Sequence, residues 1–221
     1  TDVTRVDGTA KHPDSVRAVL RSHARNISTM TPASTIMGDV RANDISITDK
    51  TLSNYLTALR RLFIIEDVKA WQPSLRSRTG IRTSDKRHFV DTSIATAILE
   101  LNPKSVLEDF ELFGFLFEDF CLRDIRVYTE LLRGTVYHYH DNSNLEADLI
   151  IRLHDGRWAA IEVKTGSKEI EEAAENLITL SNEVNTSKIG SPSFLMVLTA
   201  GQYAYRREDG VYVVPIGCLK P

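Results

Sequence analysis

Two short apolar runs separated by a turn constrain this chain more than anything else in it. Glu146-Ala147-Asp148-Leu149-Ile150-Ile151 is followed by Asp155-Gly156 and then by Ala160-Ile161-Glu162-Val163-Lys164. Asp-Gly between apolar runs is a strong hairpin signal, because both central turn positions need positive φ. Strand side chains alternate, so Ile161 and Val163 face one way while Glu162 and Lys164 face the other. The hairpin thus brings the Asp148 carboxylate towards a carboxylate and an ammonium. Two carboxylates can hold a divalent ion such as Mg2+, and a lysine beside them can orient water or offset phosphate charge. An ordinary solvated strand face with an ion pair has the same Glu-x-Lys pattern. Glu146 precedes Asp148 by two residues and is an alternative acidic ligand on the same face.

The charge is unevenly spread. Residues 1–90 carry 15 Lys/Arg against 9 Asp/Glu, a balance of +6, whereas residues 91–221 carry 12 against 21, a balance of −9. This asymmetry suggests two modules, 1–90 and 91–221, the first suited to a phosphate backbone. The apolar fraction of 42% is enough for a sizeable core. No apolar run reaches the length of about 18 residues that a membrane-spanning helix needs. Cys121 and Cys218 are far apart in apolar surroundings and read as core residues; a cytoplasmic location is expected, with no zinc-ligand spacing. The chain opens on Thr1 without a signal segment and is expected to be a piece of something longer.

In the first module, Val16, Val19, Leu20 and Ile27 define one helical face. Thr31-Pro32 suggests the cap and first residue of a short helix ending near Val40. Thr48 caps a third helix with Leu52, Tyr55, Leu56, Leu59 and Leu62 inward. Phe63-Ile64-Ile65, Val68 and Trp71 read as a small hairpin. Three helices and a hairpin describe a winged helix, in which the third helix enters the major groove. Lys50, Asn54, Thr57, Arg60 and Arg61 lie on its polar face. Arg76, Arg78, Arg82, Lys86 and Arg87 make a basic, turn-prone segment suited to phosphate. Winged helices also bind proteins, and a basic loop is often only solvated.

In the second module, a helix over Ser93–Glu100 precedes a longer one from about Leu112 to Leu132, with Phe113, Leu116, Phe117, Phe120 and Val127 inward. Glu118, in this apolar stretch, needs a partner. It is either a third acidic group over the sheet or a flank residue paired with Arg123 or Lys104. Val136–His140 alternates as a strand, placing His138 and His140 on one face. Lys168–Val184 is amphipathic, Phe194–Thr199 is a fully apolar strand of the kind a sheet buries on both faces, and Tyr203–Arg206 with Val211–Pro215 forms a last hairpin. The expected class is α/β: a winged-helix module followed by a mixed sheet flanked by helices.

The Asp148…Glu162-x-Lys164 pattern resembles the PD-(D/E)xK nuclease superfamily, although Ala147 stands where the name has proline. The chain as a whole resembles the C-terminal part of bacterial P-loop (AAA-type) ATPases with a DUF4143 region. The carrying blocks are Leu52–Leu56 through Leu62–Ile65, Phe89–Ala95, Gly114–Glu118, Glu146–Asp148 and Ile161–Lys164. The resemblance implies a restriction-endonuclease-like core with Asp148 and Glu162 as metal ligands, Lys164 as the positioning lysine and Mg2+ as the ion. It also implies an N-terminal ATPase domain as partner. No Gly-x-x-x-x-Gly-Lys-Ser/Thr loop occurs here, so no nucleotide cofactor is expected. Family members commonly carry an arginine in the strand that here offers His138 and His140. Three functions stay open: Mg2+-dependent DNA cleavage, with Asp148, Glu162, Lys164 and Glu118 as the catalytic set; a non-catalytic DNA- or protein-binding regulator of the ATPase; and an oligomeric assembly domain.

Overall fold

The computed structural model describes residues 12–220 except 75 and 77–79. It divides into two compact units, 1–67 with 85–119, and 68–84 with 120–221. The bounds differ from a single cut after residue 90. Residues 68–84 count with the second unit, where Ala70 bridges His138 of its first strand and Ile81 bridges Asp141 just past that strand. Residues 91–119 count with the first.

The first unit is helical. Its helices are α1 (Pro13–Arg25), α2 (Ala33–Arg41), α3 (Asp49–Arg61), α4 (Thr92–Ile98), α5 (Pro103–Glu108) and the first half of α6 (Phe110–Leu131). Thr48 caps α3 as expected, its side chain accepting from the Thr51 N–H. Thr31 does not cap α2: the cap position is Pro32, with no side-chain bond, and Thr31 Oγ1 donates instead to Asn26 Oδ1. Val16, Val19, Ile36, Val40, Leu52, Leu56 and Leu59 close one apolar core with Ile65 and Phe89.

The expected hairpin after α3 is absent as a ladder. Isolated pairing takes its place: Ile65 bridges Phe89, the Glu66 N–H donates to the His88 carbonyl and the Val90 N–H to the Ile64 carbonyl, while Phe63, at φ 53°, turns the chain out of the helix with its ring 78% exposed. In place of a ladder, buried charge ties this segment down. Asp67 accepts from Arg60 and from Arg87 Nη1 (3.0 Å), while Asp119 accepts from His88 Nδ1 (3.0 Å), the Phe89 N–H (3.1 Å) and Thr92 Oγ1 (2.7 Å).

The second unit is a six-stranded mixed sheet in the order β1 (Gly134–His140), β2 (Glu146–Leu153), β3 (Trp158–Lys164), β4 (Leu195–Thr199), β6 (Tyr212–Pro215), β5 (Tyr205–Arg206). β1, β2 and β3 run antiparallel in sequence. β3–β4 and β4–β6 are parallel, as crossover connections require, and β5 folds back antiparallel on β6. Helix α7 (Ile170–Glu183) makes the β3-to-β4 crossover; the short α8 (Thr186–Ile189) follows it. Ile170, Ala173, Ala174, Leu177 and Leu180 of α7 pack on Ile150, Ala160, Val197 and Val213 of the sheet. Trp71 adds its ring to this core at 4.8 Å from the Trp158 ring. Two expectations fail here. Val127 is 52% exposed, so the inward stripe of α6 ends before it and Leu122 and Ile125 are buried instead; Cys218 is exposed in a terminal 3-10 turn, while Cys121 is buried.

His23 gives the first unit a pH signature. Its side chain is fully buried, 3.8 Å from Asp67. Burial outweighs the attraction of Asp67 and lowers its pKa from 6.5 to about 4. A depressed histidine pKa means that the unfolded chain takes up the proton first. Stability is therefore complete above the unfolded value and declines as pH falls from 6.5 towards 4. Urea unfolding should show a loss of roughly 2–3 kcal/mol between about pH 7 and about pH 4.5, and His23→Gln should remove most of that dependence.

Candidate metal and phosphodiester site

β2 and β3 keep the register that the Asp155-Gly156 turn sets: Leu149 lies opposite Ile161 and Ile150 opposite Ala160. One step further, Asp148 and Glu162 meet at the end of the ladder. Asp148 Oδ2 accepts the Val163 N–H at 2.9 Å, which fixes its carboxylate against β3. Glu162 is completely buried, because β3 lies inside the sheet between β2 and β4. Beyond the Lys164 ammonium and the neighbouring Asp148 carboxyl, no group among the described residues satisfies its carboxylate oxygens. Lys164 Nζ stands 3.2 Å from Oε2 as an ion partner and remains about one quarter exposed.

The electrostatics follow from this placement. Burial, then the neighbouring Asp148 charge, push the Glu162 pKa well above the usual carboxylate range, with Lys164 opposing. Burial alone would lower the Lys164 pKa, but the Glu162 and Asp148 carboxylates outweigh it and hold the ammonium charged. Glu146 adds a further negative field on Glu162; its own Oε2 is 3.7 Å from His140 Nδ1.

A fully buried carboxylate beside a second carboxylate, with one ammonium between them and solvent, is costly. A divalent cation held by Asp148 and Glu162 would remove that cost. Among the described residues no set of three or more His, Cys, Asp and Glu converges as metal ligands. Two carboxylates are nonetheless the protein share that Mg2+ commonly uses, since it keeps several waters.

The other sequence candidates are placed as follows. Glu118 belongs to the first unit, where its Oε1 is 2.6 Å from Lys86 Nζ. His138 falls at an irregularity in β1, between Tyr137 and Tyr139, and its Nε2 meets the Ser84 carbonyl at 2.9 Å. Lys50, Thr57 and Arg61 are exposed on α3, and Asn54 is half-buried. Arg60 and Arg87 are both engaged by Asp67, and Arg87 Nε also donates to the Thr31 carbonyl. In the second unit Arg76 donates to Thr186 Oγ1 and Arg82 to Asn144 Oδ1. Arg78 lies outside the described residues. The polar groups His23, Asp67, His88 and Asp119 escaped the sequence reading; a buried acid on an apolar helix, one residue past Glu118, was the available signal for Asp119.

With this geometry established, comparison with known families divides the chain much as the contacts do. Residues 113–219 match the model of DUF4143, a domain of unknown function, and residues 1–105 match that of DUF8612, also a domain of unknown function. No curated protein matches. Among solved structures, a chain from the tetradecameric assembly of Thermococcus gammatolerans McrB AAA+ hexamers with bound McrC aligns at 10% identity. The alignment covers 93% of this chain and 72% of that one, with a TM-score of 0.32.

The raised Glu162 pKa has a stability consequence. A carboxylate raised on folding favours the fold below its unfolded pKa of 4.5, and that contribution is lost as pH rises. In EDTA, Glu162→Gln should therefore melt at a higher temperature than the parent at about pH 8, with the difference closing towards about pH 5. An unchanged or lower melting temperature at the higher pH would remove the buried-charge account.

Proposed function

We propose that the second unit is a divalent-metal-dependent phosphodiesterase site acting on DNA, within the C-terminal region of a bacterial ATPase. The single observation that carries this reading is the fully buried Glu162, which meets only the Asp148 carboxylate and the Lys164 ammonium. Asp148 and Glu162 are the residues that would hold Mg2+, and the bound ion would lower the pKa of a water and polarise the phosphate. The protein's own part is then positional and electrostatic. The Val163 N–H holds Asp148 in place. Burial keeps Glu162 in a low-dielectric setting where a charge partner counts for more. Lys164, its proton secured by two carboxylates, offsets charge developing on the phosphate.

The first unit supplies the nucleic-acid contact in this reading. Its three helices before the Ile65–Phe89 bridge suit a winged-helix role, with Lys50, Asn54 and Arg61 on the polar side of α3 as groove or phosphate contacts. Arg60, Arg76, Arg82, Lys86 and Arg87 carry bonds within the fold as described, so their contribution to binding is smaller. The ATPase domain is the proposed partner, with oligomeric assembly set by it. The balance of −9 in residues 91–221 favours a second reading, a non-catalytic DNA- or protein-binding module that regulates the ATPase, because an acidic surface repels a phosphate backbone.

The deciding experiment incubates the chain with supercoiled, linear and branched DNA, in Mg2+ or Mn2+ and in EDTA. Metal-dependent cleavage should fall at least about 100-fold in Glu162→Ala and in Lys164→Ala. Because Glu162 must lose its proton to ligate, apparent metal affinity should rise with pH. Cleavage at the parent rate in both variants would overturn the assignment. Absence of cleavage on every substrate would leave the regulatory reading.

A further inference from the structure

Helix α1 carries Arg17, Arg21 and Arg25 at four-residue intervals, so the three guanidiniums rise along one face about 6 Å apart. All three line a cavity of about 420 Å³ that lies within the first unit. That volume is in the range of small-ligand sites. Arg17 has an exposed ion pair with Asp14 at 3.3 Å, a contact weak enough to exchange. Among the described residues neither Arg21 nor Arg25 has a carboxylate partner.

The rest of the lining is not basic. Leu20, Ile45 and Ile98 give an apolar wall, and Asp39 and Glu100 put acceptors into the same cavity. Asp39 is held there by Ser22 Oγ, which donates to its Oδ2 at 2.6 Å. A bare anion would satisfy the arginines and leave the acids and the apolar wall without a counterpart. A nucleotide unit satisfies all three: phosphate for the guanidiniums, an apolar ring face for the wall, and amino or hydroxyl donors for the acids. The spaced arginines extend beyond one phosphate and suit the next ones along a strand.

We propose that this cavity seats one nucleotide of a nucleic-acid strand, with the flanking phosphates on Arg17, Arg21 and Arg25. The proposal rests on the nucleic-acid partner inferred above but on other residues, and it places a principal backbone contact on α1 in addition to α3. Cleavage is not needed to test it. Binding of fluorescein-labelled single-stranded and duplex oligonucleotides is measured in EDTA with the whole chain, over a series of salt concentrations. Inorganic phosphate, a mononucleotide and poly-glutamate serve as competitors.

The Arg21→Ala/Arg25→Ala variant should bind at least one of the two oligonucleotides on the order of tenfold more weakly, and the slope of log affinity against log salt should shrink by close to two. Arg41→Ala, a charge on α2 outside the cavity, should bind like the parent. Thermal melting of the double variant, whose arginines are exposed, should be unchanged. A mononucleotide that competes better than inorganic phosphate supports the seated nucleotide. Parent-like binding by the double variant overturns the site. So does failure of the parent to bind either oligonucleotide, or competition by inorganic phosphate or poly-glutamate as effective as that by the mononucleotide. Loss of cleavage in Mg2+ with binding intact would count against the phosphodiesterase proposal alone.

Discussion

The burial of one carboxylate in the middle of a sheet is the constraint on which the second unit turns. β3 has antiparallel β2 on one side and parallel β4 on the other, and it must be apolar along its length to occupy that place. Trp158, Ala159, Ala160, Ile161 and Val163 meet the requirement; Glu162 violates it. The violation is sustained by neighbours: Lys164 two residues on, and Asp148 anchored by the backbone of Val163. A residue that weakens the metal-free fold and sits among charged groups at a strand end is the local inconsistency by which functional sites are recognised. In the proposed site a proton and a metal ion would compete for the same two oxygens.

The first unit solves a related problem differently. Its apolar helices cannot alone fix the irregular stretch that returns from residue 85 to α4. Two buried aspartates do so. Asp119 gathers donors from His88, Phe89 and Thr92, and Asp67 gathers guanidiniums from Arg60 and Arg87, whose hydrogen bonds hold its carboxyl below the ordinary range although burial alone would raise it. Breaking one member of such a network leaves a buried charge uncompensated, which costs far more than an exposed pair would. Two basic residues that look like part of a phosphate-binding run in the sequence are counter-ions within the fold, Arg87 of Asp67 and Lys86 of Glu118.

What the sequence made legible was what local chemistry determines. The Asp155-Gly156 turn and alternating apolar residues set the β2–β3 register, and with it the meeting of Asp148 and Glu162. Spacing of apolar residues located α1, α3, α6 and α7 to within a few residues, and the Thr48 cap is where its hydroxyl predicts. Long-range effects were not legible. Nothing local says that Trp71 joins Trp158 under α7, that Glu118 meets Lys86, or that Phe63 takes positive φ in place of a strand. Val127 reads as the next residue of an inward stripe, and the stripe stops because burial along α6 shifts to Leu122 and Ile125. Periodicity reports which face of an element is apolar; it does not report what arrives to cover it.

The ends of the sheet carry one more implication. β5 is only two residues long, and the turn beyond it is pinned by Arg207, which bonds both Glu171 and Asp209. At the opposite margin, the Trp71 and Arg82 main-chain N–H groups donate to the His138 and His140 carbonyls of β1. Among the described residues, neither margin offers a long row of free peptide groups for another chain to extend. Copies of this unit are thereby kept from fusing strand to strand, and any higher-order assembly has to be built from side-chain surfaces, where mutation can adjust it gradually.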